Sequence, residues 1–471
     1  MPPDPASLLL PPPILPAPVL DGEDTPATVT TKIAGLVQDR PAPKAWWLTF
    51  GIAGLLFTLL MYAIGYLLVV GVGAWGINVP VAWGFAITNF VWWIGIGHAG
   101  TLISAILLLL HQKWRTSVNR FAEAMTLFAV MCAGLFPLFH MGRPWFFYWL
   151  FPFPNRQELW PQFRSPLVWD VFAVTTYFLV SLLFWYLGLL PDVAAMRDRA
   201  KTKLGRVFFG LMSLGWRNSV THWWRLEKAY LLIAGLATPL VVSVHTVVSF
   251  DFAVAIVPGW HSTIMPPYFV AGAIYSGFAM VLILGIPLRA IYGLKDFVTE
   301  RHLNNCAKLM LASGLVLTYG YFIEPVMAVY SGGKYELGEQ HNRWVGSSAH
   351  VYWLVILLNV VIPQALWARR VRTRPRLLFL VSVGVLTGMW LERWVIVVGS
   401  LQRDYLPSGW GLFQATFWDY AFLFGSVGLF FTLFCLFLRF LPMLSIAELR
   451  DLLPKRRGGR AGESLEVTPC P

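Results

Sequence analysis

The chain is dominated by long apolar runs that short polar segments separate. Ten runs reach about 20 to 30 residues, the length that an α-helix needs to cross the hydrocarbon core of a bilayer. A soluble domain could not bury so many runs, so the pattern predicts an all-α integral membrane protein with about ten transmembrane helices. The predicted spans are 46–74, 81–110, 121–140, 166–190, 227–250, 267–288, 306–330, 344–367, 377–400 and 412–440.

The two ends of the chain lack this pattern. Residues 1–45 are rich in proline up to Pro18 and acidic from Asp21 to Asp24. Proline removes backbone donors, and few large apolar side chains are present, so we expect an irregular tail. A basic region before the first apolar run is missing, and we expect no cleavable signal. The predicted organisation is therefore a tail at 1–45, a membrane domain at 46–440 and a basic tail at 441–471.

Charge orients the spans. The chain is 57% hydrophobic and 13% charged, with a net charge of +12, and its basic residues gather on alternate connections. By the positive-inside rule these connections and both termini face the cytoplasm. Short basic clusters between apolar runs are typical of membrane topology, so we expect a lipid bilayer and no nucleic acid as the environment. The clusters are Lys113, Arg115 and Arg120; Arg197, Arg199, Lys201, Lys203 and Arg206; Lys295, Arg301 and Lys308; Arg369, Arg370, Arg372, Arg374 and Arg376; and Lys455, Arg456 and Arg457.

Ionisable residues collect near the outer ends of several spans. His140 ends the third span, Asp170 lies in the first turns of the fourth, and Asp251 ends the fifth. In the ninth span, Arg393 follows Glu392 roughly 10 Å below the outer end. Charged groups are costly inside a bilayer and normally face protein or water. Their common depth favours one polar site over independent occurrences.

Each of these residues also has a structural alternative. His140 and Asp251 could be interfacial residues at helix ends, and Asp170 could simply interact with the helix dipole. Glu392 and Arg393 could form an internal ion pair. Successive helical residues point about 100° apart, so at most one of these two is expected to face the site directly.

Two further ionisable residues lie deeper. His98 is near the centre of the second span, and Glu324 with Pro325 interrupts the apolar pattern of the seventh. They could belong to a proton route that reaches the outer site, or they could make ordinary hydrogen bonds between helices.

Metal centres are not expected in this chain. The four cysteines, Cys132, Cys306, Cys435 and Cys470, are far apart, so they suit neither an iron–sulfur cluster nor a zinc site. His245 and His350 lie in the outer halves of their spans and could face each other, but paired haem ligands at two depths are missing. We therefore expect no haem and no metal ligands.

Five stretches resemble the larger quinol-binding membrane subunit of bacterial alternative complex III, within the polysulfide-reductase membrane-subunit (NrfD-like) family. The resemblance covers about 46–440, and its most specific part runs from Asp251 to Tyr268. The stretches are HMGRPW (140–145), FRSPLVWD (163–170), SFDFA (249–253), PGWHST (258–263) and MWLER (389–393).

The resemblance implies a fold and a site. It implies two four-helix bundles, at about 81–250 and 267–400, with peripheral helices, in a bacterial cytoplasmic membrane. It also implies that menaquinol or ubiquinol binds near the outer face. The family's site histidine and aspartates map onto His140, Asp170 and Asp251, and Arg393 and Glu392 are added as quinol-binding residues.

The resemblance also implies partners and a reaction. The partners are an outer iron–sulfur subunit, multihaem and monohaem cytochrome c subunits, a second NrfD-like membrane subunit and small helical subunits. The reaction is quinol oxidation, with electrons passed to cytochrome c or another periplasmic acceptor and with proton translocation as an option.

Quinol oxidation releases two protons and two electrons. A neutral His140 can accept one proton, and Asp170 or Asp251 can accept the other. Two rival functions stay open. The chain could be the membrane quinone-binding subunit of a molybdopterin reductase, or it could be a secondary transporter, for which paired broken helices near the midplane would be expected.

Overall fold

Ten long helices form the body of the protein. The computed structural model describes residues 19–20, 24–151, 163–403 and 405–453. Within these residues, ten helices are long and apolar enough to cross a membrane, which confirms the predicted all-α membrane fold. The spans are Lys44–Val70, Gly84–Leu109, Asn119–His140, Pro166–Arg199, Val220–Ala253, Met265–Ile291, Glu300–Ser331, Ala349–Trp367, Pro375–Gly399 and Phe417–Phe440.

Several helices extend beyond the ends of the apolar runs that predicted them. The fourth and fifth spans each extend over 34 residues, well beyond the predicted ends at 190 and 227. Apolar runs mark the part that lies in hydrocarbon, whereas helical hydrogen bonds continue into the polar interface. The seventh span likewise continues through Pro325 to Ser331, so the polar interruption in its sequence does not break the helix.

Part of the N-terminal tail is helical, contrary to expectation. A helix at Pro26–Gln38 begins with Pro26 in its first turn and a capping box between Thr25 and Thr28. Val29 and Ile33 repeat at the spacing of one helical face and are buried. This face packs near a short C-terminal helix, Ile446–Leu452. This segment is helical because its apolar residues follow an amphipathic spacing. The prolines further upstream had led to the expectation of an irregular tail. Residues 1–18, 21–23 and 454–471 of the predicted tails lie outside the described part of the chain.

The spans form two four-helix bundles with a peripheral pair. Spans two to five pack in one ring, spans six to nine pack in a second, and the first and tenth spans pair beside them. The second span is at the centre, since every residue of Gly84–Thr101 is buried. A Cβ atom on Gly277 of the sixth span would lie 2.5 Å from the Cβ of Ala99, so only glycine permits this close contact between the bundles.

Three spans contain π-helical segments: Leu102–Ile106 in the second, Leu357–Val361 in the eighth and Val395–Gly399 in the ninth. A π-helical turn changes the rotation of the helix and leaves carbonyl groups for other donors. In the ninth span, the carbonyl of Ile396 accepts a 2.6 Å hydrogen bond from the indole of Trp260. The segment thus anchors the loop that follows Asp251.

The connections between spans lie alternately on two faces. On the basic face, the N-terminal and C-terminal helices join the ends of the spans, as in the 2.9 Å bond from Arg439 to the carbonyl of Val37. On the opposite face lies a surface helix, Lys334–Val345. His140, Asp170 and Asp251 belong to span ends at this opposite face. The assignment of the basic face to the cytoplasm stays a prediction.

Candidate functional site

An acidic pair lies at the opposite face of the first bundle. Ser165 precedes Pro166, which starts the fourth span, so Asp170 falls early in that helix. Asp251 is two residues from the end of the antiparallel fifth span. The two carboxyl groups are neighbours and interact electrostatically. Their residues are 7% and 8% exposed.

Two neighbouring buried carboxyl groups disfavour two negative charges, so one of them can carry a proton beside one carboxylate. In each aspartate, the buried Oδ1 atom has no hydrogen-bond partner among the described residues. Buried oxygens without partners are expected to meet water or a bound molecule. The pair can therefore hold one proton and accept a second. Residues 152–162, which precede the fourth span, lie outside the described ranges.

His140 lies at the same face but beside a different neighbour. It is the last residue of the third span and is half-buried. Its ring stacks on Trp75, with centroids 6.2 Å apart and planes 16° from parallel. Its Nδ1 atom is buried and has no hydrogen-bond partner among the described residues. Of the predicted trio, the described contacts join only the two aspartates directly.

Glu392 and Arg393 belong to the second bundle, where they form the internal pair that the sequence left open. Arg393 donates to Glu392 at 3.1 Å, and both residues are 2% exposed. The Oε2 atom of Glu392 is buried and has no hydrogen-bond partner among the described residues. The Arg393 guanidinium lies over the ring of Phe269, 4.2 Å from its centroid.

Phe269 is the bridge between the two bundles at this depth. Its ring centroid lies 5.4 Å from that of Phe252, the residue after Asp251. It also lies 5.7 Å from the ring of His245. Arg393 therefore reaches the first bundle through one aromatic ring rather than by direct contact with the acidic pair.

Two buried histidines meet deeper in the first bundle. The rings of His98 and His245 are 4.6 Å apart, and both residues are fully buried. The Nδ1 atom of His98 lies 2.7 Å from the carbonyl of Ile94 and therefore donates to it, which leaves Nε2 as an acceptor. This Nε2 and both ring nitrogens of His245 have no hydrogen-bond partner among the described residues. The sequence raised His245 only as a haem candidate with His350, whereas the structure places it against His98.

Glu324 is far from this histidine pair in the packing. It accepts a 2.5 Å bond from Arg343 of the surface helix. Arg343 also donates to Glu339 at 3.1 Å and to Ser400 at 3.1 Å. None of the described contacts joins Glu324 to His98, because the two residues belong to different bundles.

The loop after Asp251 closes onto this cluster. Gly259 has φ +82°, and a Cβ atom there would lie 2.9 Å from the guanidinium of Arg343. Its backbone N–H donates to Glu336 at 2.9 Å. Burial raises the pKa of Glu339 to about 7, although Arg343 opposes the shift. The stretch from Asp251 to Tyr268 is therefore held by the surface helix.

Sequence reasoning missed a buried ionic cluster at the basic face. Arg120 begins the third span and bonds to Glu123 at 3.5 Å and to Asp192 at 3.1 Å. It also donates to the carbonyl of Gly188 at 2.6 Å, and Tyr230 donates to Glu123 at 3.0 Å. Arg120 was interpreted only as a topology marker. The i, i+3 spacing of Arg120 and Glu123 across the start of the predicted span 121–140 was the available indication.

Comparison with known proteins places this architecture in a family. The model of the family described as polysulphide reductase, NrfD, matches residues 73–403. A putative dimethyl sulfoxide reductase membrane subunit of Halobacterium salinarum is 27% identical over 374 residues, 75% of this chain and 79% of that protein. A selenate reductase subunit of Mesobacillus selenatarsenatis is 22% identical over 330 residues, 67% and 73% of the two chains. The Hdr-like menaquinol oxidoreductase integral membrane subunit of Archaeoglobus fulgidus is 23% identical over 348 residues, 70% and 74% of the two chains. The chain belongs to the NrfD family of polysulphide reductase membrane subunits.

Proposed function

We propose that this chain is the quinol-oxidising membrane subunit of a multisubunit oxidoreductase. The observation that carries the proposal is the Asp170–Asp251 pair at the ends of two neighbouring spans. Family membership supports it, since the relatives include membrane subunits of reductases and of a menaquinol oxidoreductase. The substrate is menaquinol or ubiquinol.

The proposed chemistry divides the two protons between the acidic pair and His140. A quinol loses two electrons and two protons to become a quinone. The unprotonated member of the Asp170–Asp251 pair accepts a proton from one hydroxyl, and the neutral ring of His140 accepts the proton of the other. The two electrons leave to a redox partner docked on the opposite face, for which an iron–sulfur protein is proposed.

Arg393 and Glu392, in the second bundle, make no direct contact with the acidic pair in this scheme. Arg393 supplies positive charge beside Phe269, and Glu392 fixes its orientation. Both are proposed as quinol-site residues with a positioning role, and neither is proposed to transfer protons. His98 and His245 are proposed as a deeper proton route, because the Nε2 atom of His98 and both ring nitrogens of His245 are buried and have no hydrogen-bond partner among the described residues. For Glu324, the ion pair with Arg343 favours a structural role.

Two larger assemblies suit this subunit. The five sequence stretches favour alternative complex III, with iron–sulfur and cytochrome c subunits and a second NrfD-like subunit. The names of the relatives favour a reductase in which the same site feeds a catalytic subunit. Proteins that copurify in mild detergent separate these assemblies, because cytochromes c indicate the first and a molybdopterin protein the second.

The proposed site is tested by replacing each aspartate separately with asparagine in the assembled complex. Asparagine keeps the shape and the hydrogen bonding but cannot take up a proton at neutral pH. Quinol:acceptor turnover should fall about 100-fold or more in Asp170→Asn and in Asp251→Asn. Asp296→Asn, on the basic face, makes the same chemical change at an exposed position and should leave turnover intact. Near-wild-type rates in both site variants would refute the proposal.

A further inference from the structure

A charged cavity lies at the basic face, far from the acidic pair. Its volume is about 540 Å³, and it opens between the end of the fourth span, the turn before the fifth span and the two terminal helices. Three arginines line it, namely Arg197, Arg217 and Arg450. Two indole rings, Trp216 and Trp223, pack edge to face at 5.2 Å and form part of its wall.

Three aspartates, Asp192, Asp198 and Asp451, line the cavity together with the three arginines. Among its acidic residues, Asp192 is bound to Arg120 and to the backbone N–H of Ala447. Asp198 is paired with Arg197 at 2.8 Å. Arg217 and Arg450 form no ion pair with any residue that the structure describes. Two guanidinium groups are therefore available for an anion in the cavity.

A mostly apolar groove adjoins this cavity. It has a volume of about 280 Å³ and shares Trp216 with the charged cavity. The groove runs between the fourth and fifth spans, with Leu187 and Leu190 on one side and Leu226 and Ala229 on the other. His222 and Arg225 also line the groove. A polar compartment thus lies beside a mostly apolar one, with Trp216 common to both walls.

A surface helix places both compartments at the level of lipid headgroups. The helix Lys203–Met212 connects the fourth and fifth spans. Its apolar side chains Leu204 and Leu211 are 82% and 73% exposed, while Lys203 and Arg206 are on the same short helix. A basic amphipathic helix with exposed leucines lies in the membrane interface. The nearby Trp223 and Trp224 are exposed, as is typical of interfacial aromatic belts.

We propose that this cavity and groove bind one anionic phospholipid. The phosphate lies among Arg197, Arg217 and Arg450, and one acyl chain fills the groove beside Ala229. Basic pockets between transmembrane helices suit anionic headgroups, because Lys and Arg attract anionic lipids at close range. The adjoining apolar groove is the reason for choosing a phospholipid over a soluble anion. This site is separate from the proposed quinol site and does not depend on it.

The test measures lipid binding to the delipidated full-length protein in mild detergent. Phosphatidylglycerol and phosphatidylcholine are titrated separately, and bound lipid is counted by native mass spectrometry. Phosphatidylglycerol should bind more tightly, and the double variant Arg217→Gln/Arg450→Gln should weaken its binding about tenfold or more. The double variant Arg369→Gln/Arg370→Gln removes two exposed charges from a remote part of the same face and should change binding less than about twofold.

A second arm separates the headgroup from the acyl chain. Ala229→Phe fills the groove and should weaken phosphatidylglycerol binding while the charged cavity stays intact. Inorganic phosphate should compete only weakly, because it lacks the chain. Equal binding of both lipids, or equal loss in the remote control, would overturn the proposal. Strong phosphate competition with no effect of Ala229→Phe would overturn the phospholipid assignment in favour of a free-anion site.

Discussion

The acidic pair joins a hydrogen-bond donor and an acceptor at one point in the membrane. Because two neighbouring buried carboxyl groups disfavour two negative charges, the pair of Asp170 and Asp251 can hold one proton beside one carboxylate. A quinol hydroxyl can donate to a free carboxylate oxygen of the pair, and once the pair has taken up a second proton, it can donate an O–H to a quinone carbonyl. The same pair can thus hold either state of the proposed substrate.

His140→Ala should lower quinol oxidation about 100-fold or more while the complex still assembles. The ring is half-buried and makes one described aromatic contact, with Trp75, so its removal costs little packing. His140→Phe is the matched control, since it keeps a ring beside Trp75 but accepts no proton. Turnover on assembled, quinone-replete complexes is the measurement, and high activity in His140→Phe would assign His140 a packing role instead.

The histidine pair predicts a different pattern. His98→Gln and His245→Gln should each slow turnover about tenfold or more, with little change in KM for quinol, because neither residue is proposed to touch the substrate. The double variant should be no slower than either single variant, as expected for residues that act in one relay. Thr88→Val serves as the control, because it alters a polar side chain of the same span as His98 whose hydroxyl donates to the carbonyl of Gly84. Unchanged turnover and proton-to-electron ratio in both histidine variants would make the pair structural.

At the scale of elements, the loop after Asp251 couples the two bundles. Trp260 reaches the π-helical segment of the ninth span, and Gly259 is enclosed by the surface helix Lys334–Val345. Both anchors are close to the residues that follow Asp251 in the chain. Displacement of the surface helix is therefore expected to alter the position of Asp251.

This surface helix should give the protein a pH-dependent stability. Burial raises the pKa of Glu339 from 4.5 to about 7, so the folded protein keeps this proton at pH values where the unfolded chain has released it. The contribution of this proton to the free energy of unfolding is fully present below about pH 4.5 and is lost as the pH rises through about 7. Glu339→Gln, which stays neutral, should flatten the fall in Tm across this window.

The measurement is the Tm of the purified protein in detergent at several pH values. Glu300→Gln, at an exposed position at the start of the seventh span, should keep the wild-type slope. An unchanged slope in Glu339→Gln would contradict the prediction and would assign the pH dependence to other groups.

At the scale of the whole molecule, buried charge is concentrated near both faces. The Arg120 cluster lies at the basic face, and the Arg343 cluster lies at the opposite face. Removing one partner of a buried ion pair typically destabilises the folded protein by about 3–5 kcal/mol. Such pairs are expected to fix the vertical register of the spans against one another.

The subunit purified alone should carry quinone but no haem. Its described cysteines are separate and buried, and the histidines that meet in the core are in direct ring contact at 4.6 Å. An absorption spectrum and quinone extraction test this prediction. The assembled complex with any cytochrome subunits is the positive control, and a stoichiometric Soret band in the isolated chain would contradict it.

The sequence determined the features that depend on distance along the helix axis. Apolar run length gave ten spans, and the fixed rise per residue placed Asp170 and Asp251 at one depth on antiparallel neighbours. Local motifs set the ends, as with Pro166 at the start of the fourth span. Even the helix Pro26–Gln38 had a visible spacing of apolar residues, although the proline-rich context led to the wrong expectation.

Only the tertiary structure decided what each side chain faces. Hydropathy along nearly uniform apolar spans contains little information about the rotation of a helix around its axis. Packing between distant segments sets that rotation. It turned His245 towards His98, Glu324 towards Arg343 and Arg120 towards Asp192. Packing also places His140 beside Trp75, because the neighbours of a span end depend on helices that are remote in the sequence.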